Sequence, residues 1–170
     1  AATAFGEASG EASIDSAVFT VAVADAQNTA GTAVVQATPD YCKGLATIKP
    51  VDPSAPLINV QVNLPSDWNN KFLQFGGSGY NGALVTGLDG VRLAGPDTPR
   101  PITQGYMTAG TDSGHQNATG VEAQAFALNA EALRNFAYAS YNKTHDLAVE
   151  VAQLYYGAKP GTTYYMGGSE

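Results

Sequence analysis

The chain has 170 residues, of which 44% are hydrophobic and only 14% charged, so it should fold as a domain with a sizeable core; its 19 Gly and 9 Pro favour a loop-rich, sheet-containing protein over a helical bundle. A net charge of -7 with eight scattered Lys and Arg excludes the clustered basic footprint of a nucleic-acid binder. No apolar run reaches the roughly 20 residues of a membrane span, and the N-terminus lacks a basic and then apolar leader, as a mature secreted protein also would after cleavage.

Residues 1–38 are rich in Ala, Thr, Ser and Gly. Two short apolar runs, Ala17 to Val23 and Ala33 to Ala37, read as strands of a small N-terminal β-element assigned to residues 1–50. Tyr41 to Pro50 reads as a further strand, and Pro50, Asp52, Pro53 and Pro56 then impose an irregular connection. The single cysteine, Cys42, is either a small buried hydrophobe or half of a bridge whose partner lies outside this chain.

Leu57 to Leu64 alternates apolar and polar residues, the pattern of a half-buried strand. A turn at Pro65 to Asn70 leads into a second strand, Lys71 to Phe75, which runs directly into Gly76-Gly77-Ser78-Gly79-Tyr80-Asn81-Gly82. A strand that ends in such a loop exposes backbone N–H groups that no side chain covers. The loop can stabilise an oxyanion. A phosphate-binding loop is the weaker reading, because the Gly-Lys-Ser/Thr ending is missing and the glycines are out of register with G-x-G-x-x-G; the plain alternative is a mobile surface loop. Residues 83–104 have no period, and so long a stretch in a compact domain is expected to be functional or packed.

Gly105 to Thr111 reads as a strand and is followed by Asp112-Ser113-Gly114-His115. That cluster invites a catalytic reading. The plainer one is that Asp112 and Ser113 satisfy loop N–H groups and His115 is structural. Helix signals fill residues 122–157. Asn129 can cap a segment through Leu133, Phe136 and Tyr141, and Thr144 can cap or continue a second one with Leu147, Val151, Leu154 and Tyr155 on one face. Gly157 ends it, with Pro160 beyond. Thr162 to Met166 is a final strand, expected to run parallel to its predecessor across the helix. The triplets Asn117-Ala118-Thr119 and Asn142-Lys143-Thr144 fit the N-glycosylation pattern and give weak support for secretion.

The last strand passes into Gly167-Gly168-Ser169-Glu170, four residues of a G-x-S-x-G nucleophile elbow. In that motif a strand turns sharply into a helix and a strained serine stands at the tip. Alternating strands and helices from residue 57 onward make the chain α/β with a mixed or parallel sheet. Residues 51–170 are assigned to this core.

Taken together, several segments resemble the tannase and feruloyl esterase family of α/β-hydrolases. They are Tyr41-Cys42, Thr47 to Pro53, Gln61 to Pro65 with Trp68-Asn69, Phe75 to Gly82, Gly110 to His115, Phe126 to Asn129 and Tyr165 to Glu170. The resemblance implies an α/β-hydrolase-type sheet with flanking helices and a secreted or periplasmic serine carboxylesterase. Its substrates would be aromatic esters of the hydroxycinnamate or gallate type. It implies Ser169 as nucleophile, the N–H of Glu170 as one oxyanion donor, and another donor within Gly76, Gly77, Ser78 and Gly79. The family's catalytic Asp and His, its lid domain and its structural calcium lie downstream of the nucleophile. The chain therefore resembles the N-terminal half of such an enzyme, inactive alone, with the downstream half as partner and no metal or cofactor of its own. Many members carry a bridged cysteine just before the nucleophile; Gly168 stands there in this sequence. The alternative is a non-catalytic binding or structural module whose Gly-Ser-Glu end is a tail. Uncovered apolar surface and sheet edge would set a partial domain apart from such a module.

Overall fold

The computed structural model describes residues 11–27, 30, 33–95 and 98–169. Its centre is a six-stranded mixed sheet in the order β1-β4-β5-β7-β6-β8. The strands are β1 (Ala12–Thr20), β4 (Tyr41–Ile48), β5 (Ile58–Pro65), β6 (Lys71–Phe75), β7 (Met107–Thr111) and β8 (Thr162–Met166). β2 (Ala26–Gln27) and β3 (Ala33–Val35) pair with each other as a separate ribbon. β1, β4, β5 and β7 are joined antiparallel. β6 is parallel to β7 on one side and to β8 on the other.

The first strand is longer and earlier than the apolar run Ala17 to Val23 suggests. It begins at Ala12 and pairs along its length with β4, with a register shift between Ile14 and Ser16. The final strand does run parallel to β7, but β6 lies between the two.

β5 departs from the half-buried expectation because both of its faces are covered. Ile58, Val60, Val62 and Leu64 point into the core with Phe72, Met107, Ala109, Ala148 and Ala152. The alternate residues Gln61 and Asn63 are buried as well, since successive side chains point to opposite faces. Gln61 Nε2 donates to Asn63 Oδ1 at 2.8 Å, and Asn63 Nδ2 donates to Thr86 O at 2.7 Å and Thr108 Oγ1 at 2.9 Å. The cover on this face is the aperiodic stretch. A Cβ on Gly110 would collide with Val85 O, and one on Gly87 would lie 3.2–3.3 Å from Thr108 and Ala109. The stretch is therefore packed. It is also required by topology, because parallel β6 and β7 need a long crossover, and among its described residues this one holds only a 3-10 turn, Pro101–Gln104.

The helical region is one run with a π turn inside it: α1 (Ala130–Arg134), Asn135–Ala139, then α2 (Ser140–Tyr156). Asn129 caps it by accepting from Glu131 N and Ala132 N, and Gly157 ends it at φ 75. Thr144 caps nothing; it lies inside α2, fully buried. The buried stripe is Ser140, Thr144, Ala148 and Ala152, at i+4 spacing, rather than the face with Leu154 and Tyr155. Leu154 is 83% exposed. Small residues let the helix axis approach the sheet closely, and Leu147 and Val151 pack at the margin of the core. At the end of α2, Tyr156 stacks on Trp68 with ring centroids 4.1 Å apart and donates its hydroxyl to Pro65 O at 2.7 Å. Burial, then the neighbouring Tyr155 and Cys42, push its phenol far above the ordinary value.

The start of the helix is fastened to the proline-rich connection. Glu131 accepts from Val51 N at 3.0 Å and Asp52 N at 2.6 Å, and Lys143 Nζ lies 3.7 Å from Glu131 Oε1 and donates to Asn135 Oδ1 at 2.9 Å. Lys143 is 3% exposed and Glu131 10%. Asp52 accepts from the hydroxyl and N–H of Ser54 and from Asn129 Nδ2, which hold its carboxyl below the usual range.

Lys143→Ala should cost about 3–5 kcal/mol in chemical denaturation, because it leaves a buried carboxylate without its cation. Asp52 should confer a pH dependence with a defined sign. Its folded pKa is depressed, so its stabilisation is present above the ordinary carboxylate pKa and lost as pH falls through the lowered value. The stability gap between the parent and Asp52→Asn should thus be open at neutral pH and close in acid.

Candidate active site

Adjacent parallel strands release their following loops at the same sheet edge. Because β6 is flanked by parallel β7 and β8, three loops meet there: Gly76 to Gly82 after β6, Asp112 to His115 after β7, and Gly167 to Ser169 after β8. In open α/β sheets this carboxyl edge is where ligands bind.

Ser169 is exposed, with φ 70. A serine in the left-handed region costs on the order of 1–3 kcal/mol and persists only when its surroundings impose it. The surroundings here are the glycine loop. Gly76 N donates to Met166 O at 2.8 Å, extending the β6–β8 ladder by one bond, and Gly79 N donates to Ser169 O at 3.1 Å. The two expected halves of the site are thus hydrogen-bonded to each other. Those bonds also commit the N–H groups of Gly76 and Gly79 to protein carbonyls. Ser78 O accepts from Asn81 N at 3.0 Å, closing the turn at the loop's tip. Glu170 lies outside the described residues.

Tyr165 explains two of the glycines. A Cβ on Gly76 would strike the Tyr165 hydroxyl, and one on Gly167 would come within 2.8 Å of the same ring. Both loops close over the edge of one tyrosine. Gly77 is required by another neighbour, since its Cβ would meet the Asn81 side chain at 2.5 Å. Asn81 in turn donates through Nδ2 to Thr111 O at 3.2 Å and to Ser113 Oγ at 2.7 Å, tying the first loop to the second. Spacing alone marks the glycines; it does not disclose Tyr165 or Asn81 as the groups that need them.

The Asp112 to His115 loop is built as a brace. Asp112 is 1% exposed, and its carboxylate accepts from Asn59 N, Asn59 Nδ2, Gly114 N and Gln116 Nε2 at 2.6–3.1 Å. Four donors fill the capacity of a carboxylate. Ser113 exchanges a hydrogen bond with Tyr141 OH at 3.0 Å. The buried His115 ring stacks on Phe126 at 3.8 Å and meets Phe136 edge-on. Of the two sequons, Asn117 is exposed but donates its amide to Asn81 O, and Asn142 lies inside α2.

A cleft of about 530 Å³ opens beside the glycine loop, lined by Gly76, Gly77, Ser78, Leu84, Asp89, Arg92 and Met166 among others. Its size falls in the usual range of small-molecule pockets. Arg92 Nη1 donates to Gly168 O at 2.9 Å. This contact between the aperiodic stretch and the elbow has no counterpart in the sequence pattern. Cys42 is half-buried and free, lining an apolar groove between β1, β4 and α2. Among the described residues, no group of three or more His, Cys, Asp or Glu could hold a metal ion. No helix among those residues is long and apolar enough to cross a membrane.

The model of the tannase and feruloyl esterase family matches residues 42–170. An uncharacterized esterase of Agrobacterium fabrum is 49% identical over 132 residues, covering 76% of this chain and 23% of that protein. A mono(2-hydroxyethyl) terephthalate hydrolase of Piscinibacter sakaiensis is 27% identical over 147 residues, covering 82% of this chain and 24% of that protein. The crystal structure of feruloyl esterase B from Aspergillus oryzae superposes with a TM-score of 0.68 at 21% identity, covering 92% of this chain and 28% of that one. The chain spans about a quarter of the length of the curated relatives it matches.

Gly76→Ala should destabilise the protein by about 1–3 kcal/mol, the usual effect of overpacking. In a double-mutant cycle read by thermal melting, Tyr165→Phe should recover part of that loss, because it removes the atom nearest the added methyl. An additive cycle would show that the two groups do not meet.

Proposed function

The chain belongs to the tannase and feruloyl esterase family and carries its α/β-hydrolase sheet, and we propose that it supplies the nucleophile and oxyanion loop of a serine carboxylesterase. Ser169 Oγ attacks the ester carbonyl, the alcohol departs, and water then releases the acid from the acyl-enzyme. The observation that carries this reading is the strained Ser169, φ 70, bonded through its carbonyl to Gly79 at the end of the neighbouring parallel strand. Its conformation and place match those of an elbow serine.

The proton acceptor for Ser169 is a histidine oriented by an aspartate, both from a downstream segment. Asp112 is a poor candidate for the orienting role, since backbone and amide donors already surround its carboxylate. One oxyanion donor is the N–H of Glu170. The other comes from the Gly76–Gly79 loop, in which the N–H groups of Gly76 and Gly79 already donate to Met166 O and Ser169 O. Such a donor is worth roughly 10²–10³ in rate. The substrate class is an aromatic ester of the hydroxycinnamate or gallate type. This follows relatives whose names specify feruloyl ester or terephthalate monoester hydrolysis. A secreted or periplasmic location goes with such substrates.

In the full-length protein, Ser169→Ala should lower hydrolysis of a feruloyl or p-nitrophenyl ester by about 10⁴-fold or more, and should abolish covalent labelling by a fluorophosphonate. His115→Ala should leave labelling of the folded fraction intact. Labelling that depends on His115 would move the catalytic base into this segment.

A further inference from the structure

We propose that Arg92 is a positioning residue for the nucleophile: its guanidinium clamps the carbonyl preceding Ser169 and holds the serine backbone in its strained conformation. The inference rests on the reading of Ser169 as nucleophile.

The backbone of one residue has two soft torsions, and each sets the orientation of one flanking peptide plane. At Ser169 both planes are held from outside the elbow. The plane before it carries Gly168 O, which accepts from Arg92 Nη1 at 2.9 Å; the plane after it carries Ser169 O, which accepts from Gly79 N at 3.1 Å. The first bond restrains φ and the second restrains ψ. Without them the serine would relax toward the negative φ that L-residues prefer, and Oγ would swing with it. The Gly79 half is main chain. The Arg92 half is a charge-assisted side-chain bond, so it is the one that substitution can remove.

The structure aims Arg92 at this task. It occupies the second position of the turn Val91–Ala94, closed by Ala94 N donating to Val91 O at 3.2 Å, and the third position, Leu93, adopts φ 63. The base of the stretch is anchored in the sheet by Val85 N to Thr111 O and Asn63 Nδ2 to Thr86 O, and is tied to itself by Arg100 Nη1 to Leu88 O. A Cβ on Gly168 would sit 3.5–3.6 Å from three atoms of the guanidinium, so the side chain lies beside the glycine it bonds. The clamp itself is the hydrogen bond. It gives the aperiodic crossover a purpose beyond connecting two parallel strands.

The test uses the full-length protein with active serines titrated by a fluorophosphonate, and a p-nitrophenyl ester as substrate. Arg92→Ala should lower kcat per titrated serine by about tenfold or more, with KM changed by less than about twofold, as for a group acting through the nucleophile. Arg92→Lys should recover much of kcat, since the contact uses a single donor. Arg92 is exposed, so the fold should survive. Should Arg92→Ala melt early, Arg92→Lys and Arg92→Gln are compared below both melting temperatures, with the lysine variant expected to be faster. An unchanged kcat in Arg92→Ala, a defect confined to KM, or lysine performing no better than glutamine would each overturn the proposal. Ser169→Ala separates the two layers. If it stays active, the nucleophile reading falls and takes this inference with it; if it is inactive while Arg92→Ala is unimpaired, only the inference falls.

Discussion

Strand β6 has a parallel neighbour on each side, and the candidate site depends on that pairing. Parallel strands end at the same edge, so Phe75 opposite Met166 and Gln74 opposite Ala109 fix where three loops emerge. Antiparallel pairing of β6 with β8 would have sent the glycine loop and the serine to opposite ends of the sheet. The same pairing dictates the long crossover between β6 and β7, because the chain must return to the far edge before it can run parallel again. The crossover covers the polar face of β5, where Gln61 and Asn63 are buried and satisfied. Both sheet faces are thereby closed around β5 and β7, and their carboxyl ends rest on a fixed base.

On that base the strain at Ser169 is supported by several weak constraints. Tyr165 forces two loops to be glycine where they cross it, Gly79 and Arg92 grip the peptides on either side of the serine, and Asn81 fastens the glycine loop to Thr111 and Ser113. None of these contacts is large. Together they spread the cost of one unfavourable backbone conformation over three loops, which is how a left-handed serine persists. The buried Asp112 serves the same end from below, binding Asn59, Gly114 and Gln116 into a rigid loop.

The sequence discloses these parts unevenly, for physical reasons. Strand and helix signals are local, so the alternation of β5, the cap at Asn129 and the stop at Gly157 can be read directly. The glycine loop and the elbow are legible too, because a sharp turn beside another backbone leaves few residue choices. Strand order is not legible, since it rests on pairings between residues far apart. Nothing near Thr162 says that β8 will lie beside β6 rather than β7. The helix face is misread when hydrophobicity is taken without size. Ser140, Thr144, Ala148 and Ala152 face the sheet because they are small, while Leu154 stays outside. Arg92 is silent for a similar reason. A surface arginine is ordinary in any sequence, and only the distance to Gly168 gives it meaning.

The outer flank of β8 bears on whether this is a self-contained module. Edge strands in soluble proteins are commonly blunted by Lys, Pro or a bulge. β1 shows such devices, with an irregular register at Ile14/Ser16 and Asp15 beside it. β8 shows none. Its sequence, Thr-Thr-Tyr-Tyr-Met, is that of an interior strand, yet Tyr164 and Tyr165 are about half exposed. A cleft of about 480 Å³ lies along it, lined by Tyr165, Phe136, Tyr141 and other residues of the sheet and helix. A strand composed for the inside and carrying the proposed nucleophile at its end is the natural place for more sheet to hydrogen-bond. The relatives, about four times as long, have the polypeptide to do so. On the proposed reading the exposed tyrosines belong with Ser169: a segment that covered this strand would also complete the site.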